Sequence, residues 1–401
     1  MSNKGSANGE RPISELRFPE FEGLPIHTVC LGDVTEEPSA RNHGHLPSEF
    51  VMGVRKDDGI VPMEERLVGA DTTRYKVVKN NWFAYNPMRL NIGSIARWQG
   101  QEDVLVSPDY VVFRCLQQAK PTRLLPSYLD QFRRAKQWDS FVNGSGDGGV
   151  RVRVYYRDLA RLQLSLPDVS EQSKIAACLS SIDGLIDSEA EKLNQLRKFR
   201  LGLSQHLFPL PGEAKPRLRF PEFQGTGDWQ WAPLGENLDT VTPPKKLPTS
   251  EYKQQGKFPI IDQSQSIVAG WTDDAGSVIG EPLPVVVFGD HTCTLKLVDF
   301  PFAQGADGIK IIVPNEKMTV EYLHGALQAY PVHSGDYKRH FTDLKQKAVA
   351  FPDIQTGEQQ MIASCLLTID ELIRAQNDRV ETLDSHKAAL MQQLFPTQEN
   401  S

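Results

Sequence analysis

Residue types that could transform a substrate are present in this chain, but they are not gathered into a site. Asn86-Pro87-Met88 is the nearest approach to the Asn/Asp-Pro-Pro-aromatic loop with which amino-methyltransferases hold a target amine, and it lacks the second proline and the aromatic. Pro167-Asp168, Glu171 and Lys174 supply the letters of a metal nuclease, namely carboxylates and a lysine. Their order suits a helix start better: Asp168 and Ser170 can cap free N–H groups, and Glu171 complements the first-turn dipole. His43 and His45 in RNHGHLP are two imidazoles without further clustered ligands, so loop polarity explains them better than a metal. No GxxxxGK-Ser/Thr run occurs and no glycine-rich turn follows an apolar strand, so neither an ATP-driven motor nor a nucleotide cofactor site is expected. Cys30, Cys115, Cys178, Cys293 and Cys365 are scattered without a CxxC pair, which suggests reduced thiols, a cytoplasmic location and no bound metal.

Charge points elsewhere. The chain carries −7 overall. Its distribution is uneven: Arg74 to Arg161 holds 15 basic against 7 acidic residues, whereas 358–401 holds 3 against 7. Attraction to phosphate follows the local field rather than the total, so a polyanion-binding first half is compatible with an acidic protein. Ordinary fluctuation of surface charge is the alternative. The polar start, MSNKGSANGE, and the lack of any apolar run approaching ~18 residues lead us to expect neither a secretory signal nor a membrane span.

The elements that must position such residues are announced by repetition. At 401 residues the chain is expected to form roughly two to three domains. LRFPEF at 16–21 returns at 218–223, each time followed by Glu or Gln and then Gly. EQSKIAACLSSIDGLIDSEAEKLNQLRKFRLGLSQHLFP (171–209) aligns without a gap to EQQMIASCLLTIDELIRAQNDRVETLDSHKAALMQQLFP (358–396), sharing 16 of 39 residues. The chain is two copies of one plan around variable stretches of 147 and 132 residues (24–170 and 226–357), which show little resemblance to each other. A constant frame around divergent inserts implies one scaffold carrying two different readers.

The repeated segment has the period of a coiled-coil helix. Ile175, Leu179, Ile182, Ile186, Leu193, Leu196, Leu203 and Leu207 alternate steps of three and four, interrupted at Glu189 and Arg200. Ile362, Leu366, Ile369, Ile373, Val380, Leu383, Leu390 and Leu394 do the same, with interruptions at the matching Gln376 and Lys387. Polar residues at matched seam positions penalise slipped registers. A helix that only covers its own domain's core is the alternative. Pro209 and Pro396 end the helices, because proline cannot continue the ladder. Such a helix is ~57 Å long, and paired antiparallel it would hold two readers at most ~17 base pairs apart along a duplex.

With these segments the chain resembles the specificity (S) subunit of type I restriction-modification systems over nearly its whole length. RFPEF opens each half and EQ…IA…L…ID…LI…LFP closes it. YKVVKNNWFAYNPMRLNIGSIA (75–96), VSPDYVVF (106–113) and GGVRVRVYYRDL (148–159) resemble one class of recognition domain. FPIIDQSQSIVAGWT (258–272), VVFGDHTCTLKLVDFPFAQGADGIKII (286–312) and FPDIQTGEQQMIA (351–363) resemble another. The resemblance implies an α+β protein: two mixed α/β target recognition domains (1–170 and 210–357), two long helices (171–209 and 358–396) forming a pseudo-twofold antiparallel coiled coil, and a tail (397–401). It also implies a non-catalytic role on double-stranded DNA with a bipartite site. Two methyltransferase subunits would dock and use S-adenosylmethionine, and restriction translocase subunits would use ATP and Mg; no cofactor belongs to this chain.

Base readout needs forked donors such as Arg, Asn and Gln, and phosphate contacts need Lys, Arg, Ser, Thr and Tyr on loops. In the first half these are Arg89, Asn91, Ser94 and Arg97 around Gly93, and Asn143, Ser145, Arg151 and Arg153 flanking NGSGDGG. In the second they are Lys245 and Lys246, Gln263, Ser264 and Gln265, His291 and Thr292, and Tyr337, Lys338, Arg339 and His340. A plain solvated loop is the alternative for each. Glu171-Gln172 and Glu358-Gln359 read as positioning residues. Two other functions remain to be distinguished: a self-sufficient methyltransferase or nuclease, for which no cofactor or metal motif is visible, and a coiled-coil scaffold without DNA function.

Overall fold

The computed structural model describes residues 14–63, 71–144, 153–306, 308–332 and 340–396. Two compact units form, one from residues 1–189 with 379–401 and the other from 190–378. Both boundaries fall inside long helices, Val169–Leu207 and Glu358–Leu394. Each unit therefore contains the start of one long helix and the end of the other. All sixteen apolar heptad positions and the four polar interruptions are buried or half-buried, and Ala176, Ser204, Ala363 and Met391, off that stripe, are buried too.

In the first unit a four-stranded sheet runs in the order Thr35–Glu36, Val111–Cys115, Phe83–Tyr85, Ile95–Arg97. Phe83 lies opposite Phe113 across the ladder, and the two rings stack at 5.1 Å. Strands Met52–Arg55 with Gly59–Pro62, and Lys76–Val78 with Val104–Val106, extend the β-structure. The helix Pro126–Phe132 starts on a proline, whose fixed φ and missing N–H suit the first turn, and buries Tyr128, Leu129 and Phe132.

The second unit has two four-stranded sheets. One orders Leu238–Val241, Ile309–Pro314, Val285–Gly289 and Leu295–Val298; the other orders Gly270–Thr272, Phe258–Ile261, Phe302–Gln304 and Val278–Ile279. The run VVVFG is buried at every position, as a central strand covered on both faces requires. Helix Val320–Ala329 is capped by the Thr319 hydroxyl, which accepts the Tyr322 N–H at 3.2 Å.

The inserts differ in sequence yet meet the frame alike. In each, the first strand pairs antiparallel with the last: His27–Cys30 with Gln163–Leu166, and Gln230–Pro233 with Ala348–Phe351. The helices Pro126–Phe132 and Val320–Ala329 both place a Tyr-Leu pair in the core. No helix among the described residues is long and apolar enough to cross a membrane.

Candidate nucleic-acid interface

The frame that carries the candidate loops is fastened by the same bonds in both units. Arg17 grips Glu171 through Nε (2.9 Å) and Nη2 (2.5 Å), and Arg219 grips Glu358 through the same two nitrogens, each at 2.7 Å. Donating to the Glu171 carboxylate raises the Arg17 guanidinium above its ordinary value. Gln172 and Gln359 are fully buried and saturated in parallel ways. Gln172 donates to the carbonyls of Arg123 and Pro167 and accepts from the Leu125 N–H. Gln359 donates to those of Lys317 and Pro352 and accepts from the Thr319 N–H. In both units the glutamine thus joins the long helix to the start of the shorter one. LRFPEF also touches the far end of a long helix, since the N–H of Leu16 reaches Gln393 O and that of Leu218 reaches His206 O.

The LFP ends are buried anchors. Phe395 sits in the first unit between Tyr128 and Phe132, at 5.2 and 5.3 Å between centroids. Phe208 sits in the second among Trp229, Tyr322 and Tyr330. The polar seam interruptions pair as well. Lys387 bonds Asp183 in the first unit, and Arg200 holds both oxygens of Asp370 (3.0 and 3.1 Å) in the second. Burial alone would raise the Asp183 carboxyl; hydrogen bonds from Lys387 and Gln131 outweigh it and hold it below the usual carboxylate range. Glu189 accepts Arg379 at 3.0 Å.

On this frame the first unit opens a cleft of about 1300 Å³ whose walls include Asn91, Arg97 and Asn143. Six aspartates (Asp57, Asp58, Asp130, Asp139, Asp183, Asp187) face four cations there (Lys56, Arg97, Arg133, Arg134). Three of the cations are already paired. Arg97 and Arg133 share Asp130 at 3.1 and 2.8 Å, and Arg134 meets Asp183 at 3.2 Å. Burial pushes the Arg133 guanidinium down, against the pull of Asp130. Three of the eight excess charges counted along 74–161 meet acids from outside that range, Arg134 on Asp183, Arg114 on Glu36 and Lys76 on Glu37.

The candidate residues divide by placement. Arg89, Asn91, Asn143 and Arg153 are exposed. Ser94 is buried and donates to Val54 O at 2.9 Å, so its hydroxyl braces a turn and does not face solvent. In the second unit, Lys245 lies between Asp274 (3.1 Å) and Glu251 (3.6 Å), and these hydrogen-bonding and ionic neighbours raise its ammonium above the ordinary value. Lys246 pairs in a bridge with Gln304. The turn bearing Gln263, Ser264 and Gln265 adjoins Thr292, whose hydroxyl donates to Gln263 O at 3.0 Å, and His291 is half-buried beside it. His340 is fully buried, its N–H on Asp290 O (2.8 Å) and its Nδ1 3.3 Å from Asp343, which removes it from the solvent-facing set. Ser145, Arg151, Tyr337, Lys338 and Arg339 lie outside the described residues.

Several residues that build these surfaces escaped the sequence reading. The Arg114 guanidinium lies 5.4 Å over the Trp82 ring, next to Asn80, Asn81 and Gln117, and Lys310 and Lys345 approach the Phe341 ring at 5.6 and 5.0 Å. Nothing in their spacing marks them. Asp183 and Asp370 could have been found, because both stand in the repeated IDxLI. Among the described residues no three metal-capable side chains cluster.

No protein-family model matches the chain. It is 26% identical over 139 residues to the specificity subunit of an Escherichia coli type I restriction enzyme, a match covering 33% of this chain and 34% of that protein. It thus spans about a third of that relative. It is 22% identical over 356 residues to a Methanocaldococcus jannaschii protein named as the specificity subunit of the type I restriction enzyme MjaX, covering 82% and 81% of the two. Among solved structures, the S subunit of a type I restriction-modification system from M. genitalium superposes with a TM-score of 0.61 at 16% identity, covering 96% of this chain and all of that one. A chain from a study of assembly and conformational transition of the type I system superposes at 0.54 and 18%, covering 94% and 99%. These two superpositions establish the fold.

Proposed function

We propose, from its homology to the specificity subunits of type I restriction enzymes, that this chain is the DNA-recognition subunit of such a system and performs no chemistry itself. Each unit reads one half of a bipartite duplex site. The long helices run as an antiparallel coiled coil about a pseudo-twofold axis and set the spacer between the halves. Two methyltransferase subunits dock on this scaffold and bring S-adenosylmethionine; restriction subunits bring ATP and Mg.

The observation that carries this reading is the doubled frame: Arg17–Glu171 and Arg219–Glu358 repeat one buried ion pair beneath two unlike sets of loops. A duplicated mount under divergent surfaces is what two half-site readers require. The test mixes the full chain with its cognate methyltransferase subunits and maps protection and methylated adenines. Two short protected stretches separated by a fixed unread interval are expected. A single continuous footprint, or none, would sink the reading. Labelled methyl transfer by the isolated chain would instead favour a self-sufficient enzyme.

A further inference from the structure

The second unit contains a lysine, in strand Leu295–Val298, whose charge is turned onto main-chain carbonyls. Lys296 is 5% exposed, and its Nζ donates to two main-chain carbonyls, Asp262 O at 2.7 Å and Ser266 O at 2.6 Å. These carbonyls are the two ends of the turn Asp262–Ser266, so one ammonium closes it like a clasp. Burial pushes that ammonium below the ordinary lysine value. Other bonds hold the middle: Ser264 N–H donates to Asp262 Oδ1 (2.9 Å), and the hydroxyls of Thr292 and Thr294 donate to Gln263 O (3.0 and 3.2 Å). Gly308, at φ +111°, lies against the Gln263 amide, where a Cβ would stand 3.1 Å from it. With the main chain pinned at its ends and middle, the side chains of Ser264 and Gln265 are left exposed to solvent.

We propose that Lys296 is the positioning residue of a base-reading turn, fixing the main chain from which Ser264 and Gln265 meet base edges in one half-site. The inference rests on the DNA-recognition reading above. Its physical content is preorganisation. A glutamine amide can hydrogen-bond an adenine edge in two places, and holding its main chain beforehand removes part of the ordering cost of binding. A cation held on two carbonyls makes no phosphate contact, so Lys296 should govern discrimination between sequences and leave the salt dependence alone.

The test uses the full chain assembled with its methyltransferase subunits, with the recognised site first mapped from methylated adenines. Binding is then measured on the cognate duplex and on duplexes altered by one base pair in either half. Lys296→Met should lower discrimination in one half-site by about tenfold, with the other half-site and the salt slope as in wild type. Lys296→Arg, which retains donors, should recover part of it. Gln265→Ala, an exposed change that leaves the unfolding temperature in place, should produce a loss in that same half-site. Equal losses in both half-sites, or wild-type discrimination by Gln265→Ala, would overturn the inference while the recognition reading stands. A wild-type complex that protects no split site would overturn both.

Discussion

Arg219 spans the carboxylate of Glu358 with two hydrogen bonds of 2.7 Å, the two side chains being 7% and 1% exposed. A pair so removed from water stabilises mainly by mutual need, because either charge alone would stay buried without its partner. Arg219→Ala or Glu358→Ala should each cost about 3–5 kcal/mol, whereas Arg219→Met with Glu358→Leu should cost less than either single change. Denaturant unfolding of the three variants supplies the comparison. A double variant as damaged as the sum of its parts would refute the argument.

Phe395 comes from the end of the chain but fills the core of the unit that begins it, against Tyr128 and Phe132. Phe395→Ala should destabilise the first unit by about 3–5 kcal/mol. Amide exchange should accelerate around Pro126–Phe132, with Val285–Gly289 in the second unit protected as before.

His324 is buried and its basicity is lowered to about 4, first by burial and also by the Arg200 charge, with Asp370 pulling the other way. Its Nε2 lies 3.3 Å from the Gln328 amide nitrogen, while Gln328 Oε1 accepts from Arg200, an arrangement that needs a neutral ring with Nε2 as acceptor. The folded value lies below the unfolded one of about 6.5, so the unfolded chain binds more protons between them. The contribution is therefore complete above pH ~6.5 and is lost as pH falls towards ~4, amounting to about 3 kcal/mol. Unfolding free energies of wild type and His324→Gln between these limits should converge as the pH falls.

Arg89 is exposed, whereas Arg97 is already held by Asp130. If the first unit binds DNA as proposed, Arg89→Ala should flatten the dependence of log affinity on log salt by about one, the signature of one lost phosphate contact. Arg97→Ala should leave that slope unchanged and lower the unfolding temperature, because Asp130 loses a partner. Titrations at several salt concentrations, paired with melting curves, separate the two.

Much of the frame was legible because it depends on period and repetition. The long helices Val169–Leu207 and Glu358–Leu394 follow from apolar steps of three and four, and Glu171-Gln172 read as positioning residues from their place at a helix start. The surfaces were less legible. Ser94 and His340 have the chemistry of DNA contacts but are buried, and residue type alone does not report depth. The charge count over 74–161 carries no information on pairing, because ion pairs join residues far apart in the chain, as Arg114 joins Glu36. Lys296 sits in Leu295–Val298 as an ordinary alternating strand residue, and only the fold brings it to the carbonyls of Asp262 and Ser266.

The pairing of first and last strands has a consequence for how such a chain can diversify. His27–Cys30 lies beside Gln163–Leu166, and Gln230–Pro233 beside Ala348–Phe351, so each insert departs and returns about one strand spacing, ~4.8 Å, from where it began. Between those ends the mount holds the start of each insert's shorter helix, through Gln172 on Arg123 and Leu125 and Gln359 on Lys317 and Thr319. Recombination that cuts at these strands would transplant a whole insert as a cassette, with its turns and internal ion pairs intact. The two halves of one gene could then drift apart in what they contact while Arg17–Glu171 and Arg219–Glu358 keep the sockets the same.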